Sequence, residues 1–80
     1  MVDTAKRLQD CFSVVFPELS PNEIPRASQV SVASWDSLAS VTLVAVVEEE
    51  FRIGISEEEF EEMTSFAQVL ELVTVKVTRD

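Results

Sequence analysis

WDSLASVTLVAVVEEEF, residues 35–51, decides the fold of this chain. At about 100° per residue, Leu43, Val44, Val47 and Phe51 gather on one side of a helix, enough for a core face. Asp36 stands where an N-cap belongs, and Ser37 opens the first turn. The serine hydroxyl therefore lies beside the positive end of the helix and its unpaired N–H groups, where a phosphate ester is well tolerated. Leu38, Thr42, Ala45 and Glu49 fall on nearly the opposite side, with Ala39 and Val46 at its edge. The first three turns carry no charge after Asp36, so the helix is apolar over more of its circumference than one core contact needs. Such a stripe points to docking against another protein.

Upstream, Ala5, Leu8, Phe12, Val15 and Phe16 recur at spacings of three and four. They predict a helix from Asp3 to about Phe16, with Asp3 as N-cap and Pro17 ending the run. Residues 17–35 hold three prolines with several Ser and Asn, and read as a long ordered loop pinned to the core at Leu19, Ile24 and Val30. Loops of that length tend to be functional. Downstream, Ser56-Glu57-Glu58-Glu59 has the form of a capping box and opens a short helix ending near Met63. Ser65-Phe66-Ala67-Gln68 repeats the device and opens a last helix through about Val73, with Thr74–Asp80 as its fraying end. The expected architecture is all-α: one domain over residues 1–80, a small four-helix bundle of three main helices and one short one.

With 80 residues there is room for one modest core. The formal net charge of −9 excludes nucleic acid as a natural partner, since phosphate backbones are bound by clustered Lys and Arg. A basic-faced protein is the better match. Cys11 is the only cysteine, which rules out an internal disulfide, and it falls on the apolar face of the first helix as a packed thiol. No histidine is present, so nothing supports nucleophilic or redox work at that thiol. Asp3, Lys6, Arg7 and Asp10 interrupt any signal-peptide h-region. The longest apolar run, Leu43 to Val47, is too short to span a bilayer, and a cytoplasmic protein is expected. Glu48–Glu50 and Glu57–Glu62 form an acidic cluster, mostly a solubilising face. No Asp-x-Asp-x-Asp-Gly calcium loop or other metal-ligand pattern is present.

Taken in order, Asp36-Ser37-Leu38, Leu43-Val44, Glu48-Glu49-Glu50-Phe51, Ile55 and Met63-Thr64 resemble the acyl carrier protein family. The resemblance is close over residues 35–73, and the first helix and long loop fit in position and length. It implies the four-helix carrier bundle, and a 4′-phosphopantetheine arm attached to Ser37 from coenzyme A by a phosphopantetheinyl transferase. Acyl or aminoacyl groups would ride as thioesters on the thiol of that arm. The chemistry of the motif agrees, because Ser37 has no His or Lys base beside it and is poorly equipped to activate itself. A non-enzymatic, monomeric carrier is implied, serving acyl-transferring and acyl-modifying enzymes.

By position, Asp36, Leu38, Thr42, Ala45, Val46, Glu49, Ile55 and Met63 would meet partners or flank the arm. Val44, Val47, Phe60, Phe66 and Leu70 would line an interior able to shelter an acyl chain. Two departures separate the chain from carriers of primary fatty acid synthesis, which usually place acids where Ala39 and Thr42 stand. Losing those charges shifts recognition from steering towards apolar contact. Trp35, in place of a small residue, looks like free-standing carriers of polyketide, nonribosomal peptide or modified-lipid assembly. The residues leave open a peptidyl or aminoacyl carrier, and a helical adaptor that has lost the arm.

Overall fold

The computed structural model describes residues 3–79. Four α-helices follow one another: α1 (Thr4–Val15), α2 (Ser37–Phe51), α3 (Glu57–Glu61) and α4 (Phe66–Arg79). A single turn of 3₁₀ helix, Ile24–Arg26, lies between α1 and α2. No strand occurs among the described residues, only an isolated antiparallel bridge between Ser28 and Ser65. The all-α four-helix bundle expected from the residues, with three main helices and one short one, is the fold observed.

All four helices start on side chains that the sequence pattern identifies. Asp3 accepts from the Lys6 N–H at 3.2 Å and Asp36 from the Ala39 N–H at 2.9 Å. Ser56 and Glu59 form the complete reciprocal capping box, which lets a helix as short as α3 persist. At the start of α4, Ser65 Oγ accepts from the Gln68 N–H at 3.2 Å. α2 ends at Arg52, whose φ of 56° puts it in the left-handed region and whose N–H returns to the Glu48 carbonyl.

Leu8, Phe12, Leu43, Val47, Val69 and Val73 close the core between α1, α2 and α4. Each such side chain contributes about 1.5–3 kcal/mol on leaving water. Phe12 is the hub of an aromatic group, with ring centroids 5.4 Å from Trp35, 5.1 Å from Phe66 and 5.9 Å from Phe16. The first two meet edge to face, the arrangement that ring quadrupoles favour. Arg7 binds α1 to the end of α2, donating to the Glu50 carboxylate at 2.8 Å while its guanidinium lies over the Phe51 ring.

One sequence expectation is corrected and one sharpened. Val30 does not pin the loop, being 97 % exposed; Ile24, Ala27, Val32 and Trp35 are the buried anchors. Backbone pairing sets this arrangement: the Phe66 N–H donates to the Ala27 carbonyl and the Gln29 N–H to the Thr64 carbonyl, both at 2.9 Å. Those bonds fasten the loop to the α3–α4 link and turn Val30 outward. The last helix runs past Val73 as a continuous helix through Thr74 to Arg79, the stretch expected as its fraying end, and Asp80 lies outside the described residues. Burial of Val73 and the ion pair of Lys76 with Glu59 at 3.0 Å hold the added turns, overriding the β-branched propensity of the segment.

Candidate functional site

Ser37 is the first residue of α2 and is exposed, so its hydroxyl is open to a large reagent. The loop before it is held by the Trp35 N–H to the Val32 carbonyl and the Asp36 N–H to the Ser34 carbonyl, both at 3.0 Å. Ser34 also donates to the Glu18 carboxylate, tying the two ends of the loop together and holding the Glu18 carboxyl below its ordinary value. The serine thus sits on a rigid shoulder. Asp36 is turned into its cap bond with Ala39, which leaves it committed to the helix rather than to the serine.

Beside Ser37 lies an open cleft of about 370 Å³, lined by Gln29, Trp35, Asp36, Ser40, Val41, Phe60 and Glu61. Ser37, Ser40 and Val41 reach it together because residues three and four apart share a helix face. Ser40 is buried and accepts from the Trp35 indole N–H at 3.0 Å. Gln29 reaches the same hydroxyl at 3.4 Å. Val41 and Phe60 give the cleft apolar walls, while Gln29 and Ser40 offer polar groups. A flexible chain bearing amides has matching chemistry for both.

The outward ridge of α2 adjoins the cleft and shares Asp36 and Val41 with it. Leu38 is 76 % and Val41 58 % exposed, and Asp36, Thr42, Ala45 and Glu49 are exposed as well. Thr42 Oγ1 donates back to the Leu38 carbonyl at 3.1 Å, which keeps its hydroxyl from projecting freely. Val46 and Ile55 are half-buried at the margins of this ridge. Met63 departs from the expected surface: it is buried, because its N–H bonds to the Phe60 carbonyl and the turn folds its side chain inward.

Of the residues expected around an interior cavity, Val47 and Phe66 are buried, and Val44 and Leu70 pack half-exposed against the same core. Phe60 differs, standing in the wall of the Ser37 cleft instead. Several acids of the supposed solubilising cluster have structural duties. Glu48 accepts from the Ile55 N–H at 2.8 Å and holds the α2–α3 link, Glu50 binds Arg7, and Glu59 serves the α3 cap and Lys76 together. Sequence reasoning missed Gln29, Ser40, Val41 and Glu61 as neighbours of Ser37. The i+3 and i+4 spacing could have found Ser40 and Val41, whereas nothing local announces Gln29 or Glu61.

The chain is 39 % identical over 54 residues to the acyl carrier protein of Thermosynechococcus vestitus, an alignment that covers 68 % of this chain and 67 % of that protein. No family model matches the chain. No solved structure matches it either.

Proposed function

Because the chain belongs to the acyl carrier protein family, we propose that it bears a 4′-phosphopantetheine arm on Ser37 and delivers acyl thioesters to partner enzymes. The observation that carries this reading is the exposed Ser37 hydroxyl at the first turn of α2, behind a cap and beside an open cleft. The arm, when attached, supplies a thiol on which an acyl group can be held as a thioester. Ser37 Oγ supplies the bridging oxygen to its phosphate, and the helix N-terminus stabilises the negative charge left there. Loading would exchange the pyrophosphate P–O bond of coenzyme A for the bond to Ser37 Oγ, with adenosine 3′,5′-bisphosphate leaving, and the serine proton would go to the transferase, since Asp36 is occupied as a cap and the chain has no histidine. Leu38 and the neighbouring apolar ridge give acyl-handling enzymes a surface to bind, and the net charge of −9 draws in those with basic faces.

Thr42, uncharged on that ridge, and Ala39, half-buried at its edge, favour a role in fatty-acid-like, polyketide or other specialised assembly over primary fatty acid synthesis. Among the described residues, no helix is long and apolar enough to cross a membrane. The test is direct. Incubation with coenzyme A and a broad-specificity phosphopantetheinyl transferase should add one arm by intact mass, and Ser37→Ala should abolish the addition. A wild-type chain of unchanged mass, or a modified Ser37→Ala chain, would refute the assignment.

A further inference from the structure

Trp35 and Ser40 are buried, at 4 % and 7 % exposure, while the other residues lining the Ser37 cleft are exposed or half-exposed. The buried pair forms the floor of the cleft, and its members are bonded to each other: the Trp35 indole N–H donates to Ser40 Oγ at 3.0 Å. Behind this floor lies the core. The indole is 5.4 Å, centroid to centroid, from Phe12 and the same from Phe16, and Phe12 in turn meets Phe66. One side chain therefore stands between the serine cleft and the aromatic centre of the bundle. The Trp35 backbone is fixed too, its N–H donating to the Val32 carbonyl. Swinging the indole outward would leave a buried donor unmade and break its contacts with both phenylalanine rings.

We infer that Trp35 sets the size of cargo in this carrier: it closes the passage from the serine cleft into the bundle, so short acyl groups are held at the cleft and long alkyl chains stay in water. The inference rests on the reading of Ser37 as the attachment site. It departs from the expectation that Phe66 helps to line a chamber for an acyl chain, because Phe66 lies beyond the Phe12 ring on which the indole packs. An arm folded back from Ser37 meets Ser40 and Val41 first, since they share its helix face, and then the indole. Interiors are close-packed, so entry here means displacing a large, bonded ring rather than parting aliphatic side chains. The floor is also polar at its centre. Ser40 Oγ accepts from Trp35 and from Gln29, which leaves its own proton for the carbonyl of a short acyl group. A run of methylenes placed there would cover that hydroxyl without bonding it.

Butanoyl- and decanoyl-coenzyme A, used to load the chain through a broad-specificity phosphopantetheinyl transferase, test the inference. The readout is thioester cleavage by hydroxylamine, each rate divided by that of the matching acyl-pantetheine in solution. In the wild type the butanoyl and decanoyl rates should agree within about twofold, since the bundle shelters neither chain. Trp35→Ala should slow decanoyl cleavage about tenfold, the weight of roughly two buried methylenes, and leave butanoyl cleavage as in the wild type. Val73→Ala truncates a core residue that does not line the cleft, and should keep the wild-type rates for both chains. That control separates an opened passage from a merely loosened fold. Where Trp35→Ala loses helicity, Trp35→Leu takes its place in the comparison. A wild-type decanoyl thioester protected about tenfold would overturn the inference, because the long chain would then be sheltered with the indole in place. A folded variant at position 35 whose decanoyl thioester is cleaved as fast as its butanoyl one would overturn it as well. A wild-type chain that takes no arm would instead defeat the Ser37 reading on which the inference stands.

Discussion

The indole N–H of Trp35 donates to the Ser40 hydroxyl at 3.0 Å, joining the aromatic core to the wall of the cleft beside Ser37. Both residues are buried, and Trp35 packs edge to face on Phe12. Ser40→Ala removes the acceptor and leaves a buried donor unmade, which costs about 1–3 kcal/mol. Urea unfolding followed by fluorescence of the single tryptophan should show that loss as a lower midpoint with an unchanged slope. An undiminished midpoint would mean that water replaces the hydroxyl, and that the core and the cleft are not joined through this bond.

Cys11 is a packed thiol rather than a reactive one. Burial, reinforced by the Glu50 and Asp10 carboxylates, pushes it up to about 11. The folded state therefore prefers the neutral thiol, and its contribution is complete below the ordinary thiol value and lost as pH rises through about 11. Thermal unfolding between about pH 8 and 11 should fall more steeply for the wild type than for Cys11→Ala, whose Tm starts lower. Parallel slopes would remove the thiolate from the alkaline instability. Thiol reagents at neutral pH should label Cys11 only as fast as the fold opens.

The helices were legible because their signals are local: a cap, a period and a stop within a few residues of one another. Asp36, Ser56 and Ser65 begin their helices where their side chains allow it, and Ser37 is placed by the same pattern. Val30 and the end of α4 were not legible, since both depend on partners distant in sequence. Pairing of Ala27 and Gln29 with Phe66 and Thr64 decides which loop valine is buried. Lys76 needs Glu59, on another helix, to extend α4 beyond Val73. The same limit explains the cleft: Gln29 and Phe60 reach Ser37 from separate elements, which no spacing within α2 reveals.

The cap and the serine separate folding from function in adjacent residues. Asp36→Ala removes the bond to the Ala39 N–H and should lower stability by about 0.5–2 kcal/mol. Ser37→Ala alters an exposed first-turn residue and should stay within about 0.5 kcal/mol of wild type. Denaturant unfolding of the two variants checks the contrast. Equal losses would show that Ser37 supports the helix as well as presenting its hydroxyl.

Gly54, in the α2–α3 link, adds flexibility without using it. It does not have a positive φ, and a Cβ built there meets nothing within 4 Å. Gly54→Ala should therefore stabilise the fold by about 0.4–1 kcal/mol, by narrowing the unfolded ensemble rather than by adding contacts. A higher denaturant midpoint with unaltered arm loading is the expected result. A lower midpoint would show that the link between Glu48 and the α3 cap needs the freedom of glycine.

Glu59 holds α3 at both of its supports. Its carboxylate accepts from the Ser56 N–H at 2.9 Å and pairs with Lys76 of α4 at 3.0 Å. The backbone bond from Ser56 is the first cause and Lys76 the second in keeping this carboxyl below its ordinary value. A depressed carboxyl stabilises the fold above its unfolded value, and that stabilisation is lost as pH falls through the lower folded one. Acidification should accordingly release α3 and widen the cleft wall formed by Phe60 before the core of α1, α2 and α4 opens. Amide exchange measured from about pH 6 down to pH 3 should show early loss of protection at Phe60 and Glu62, the donors that close α3, after correction for intrinsic rates. Glu59→Ala should reproduce that loss at neutral pH. Protection at α3 that persists until the core exchanges would mean that α3 is held by packing and not by this carboxylate.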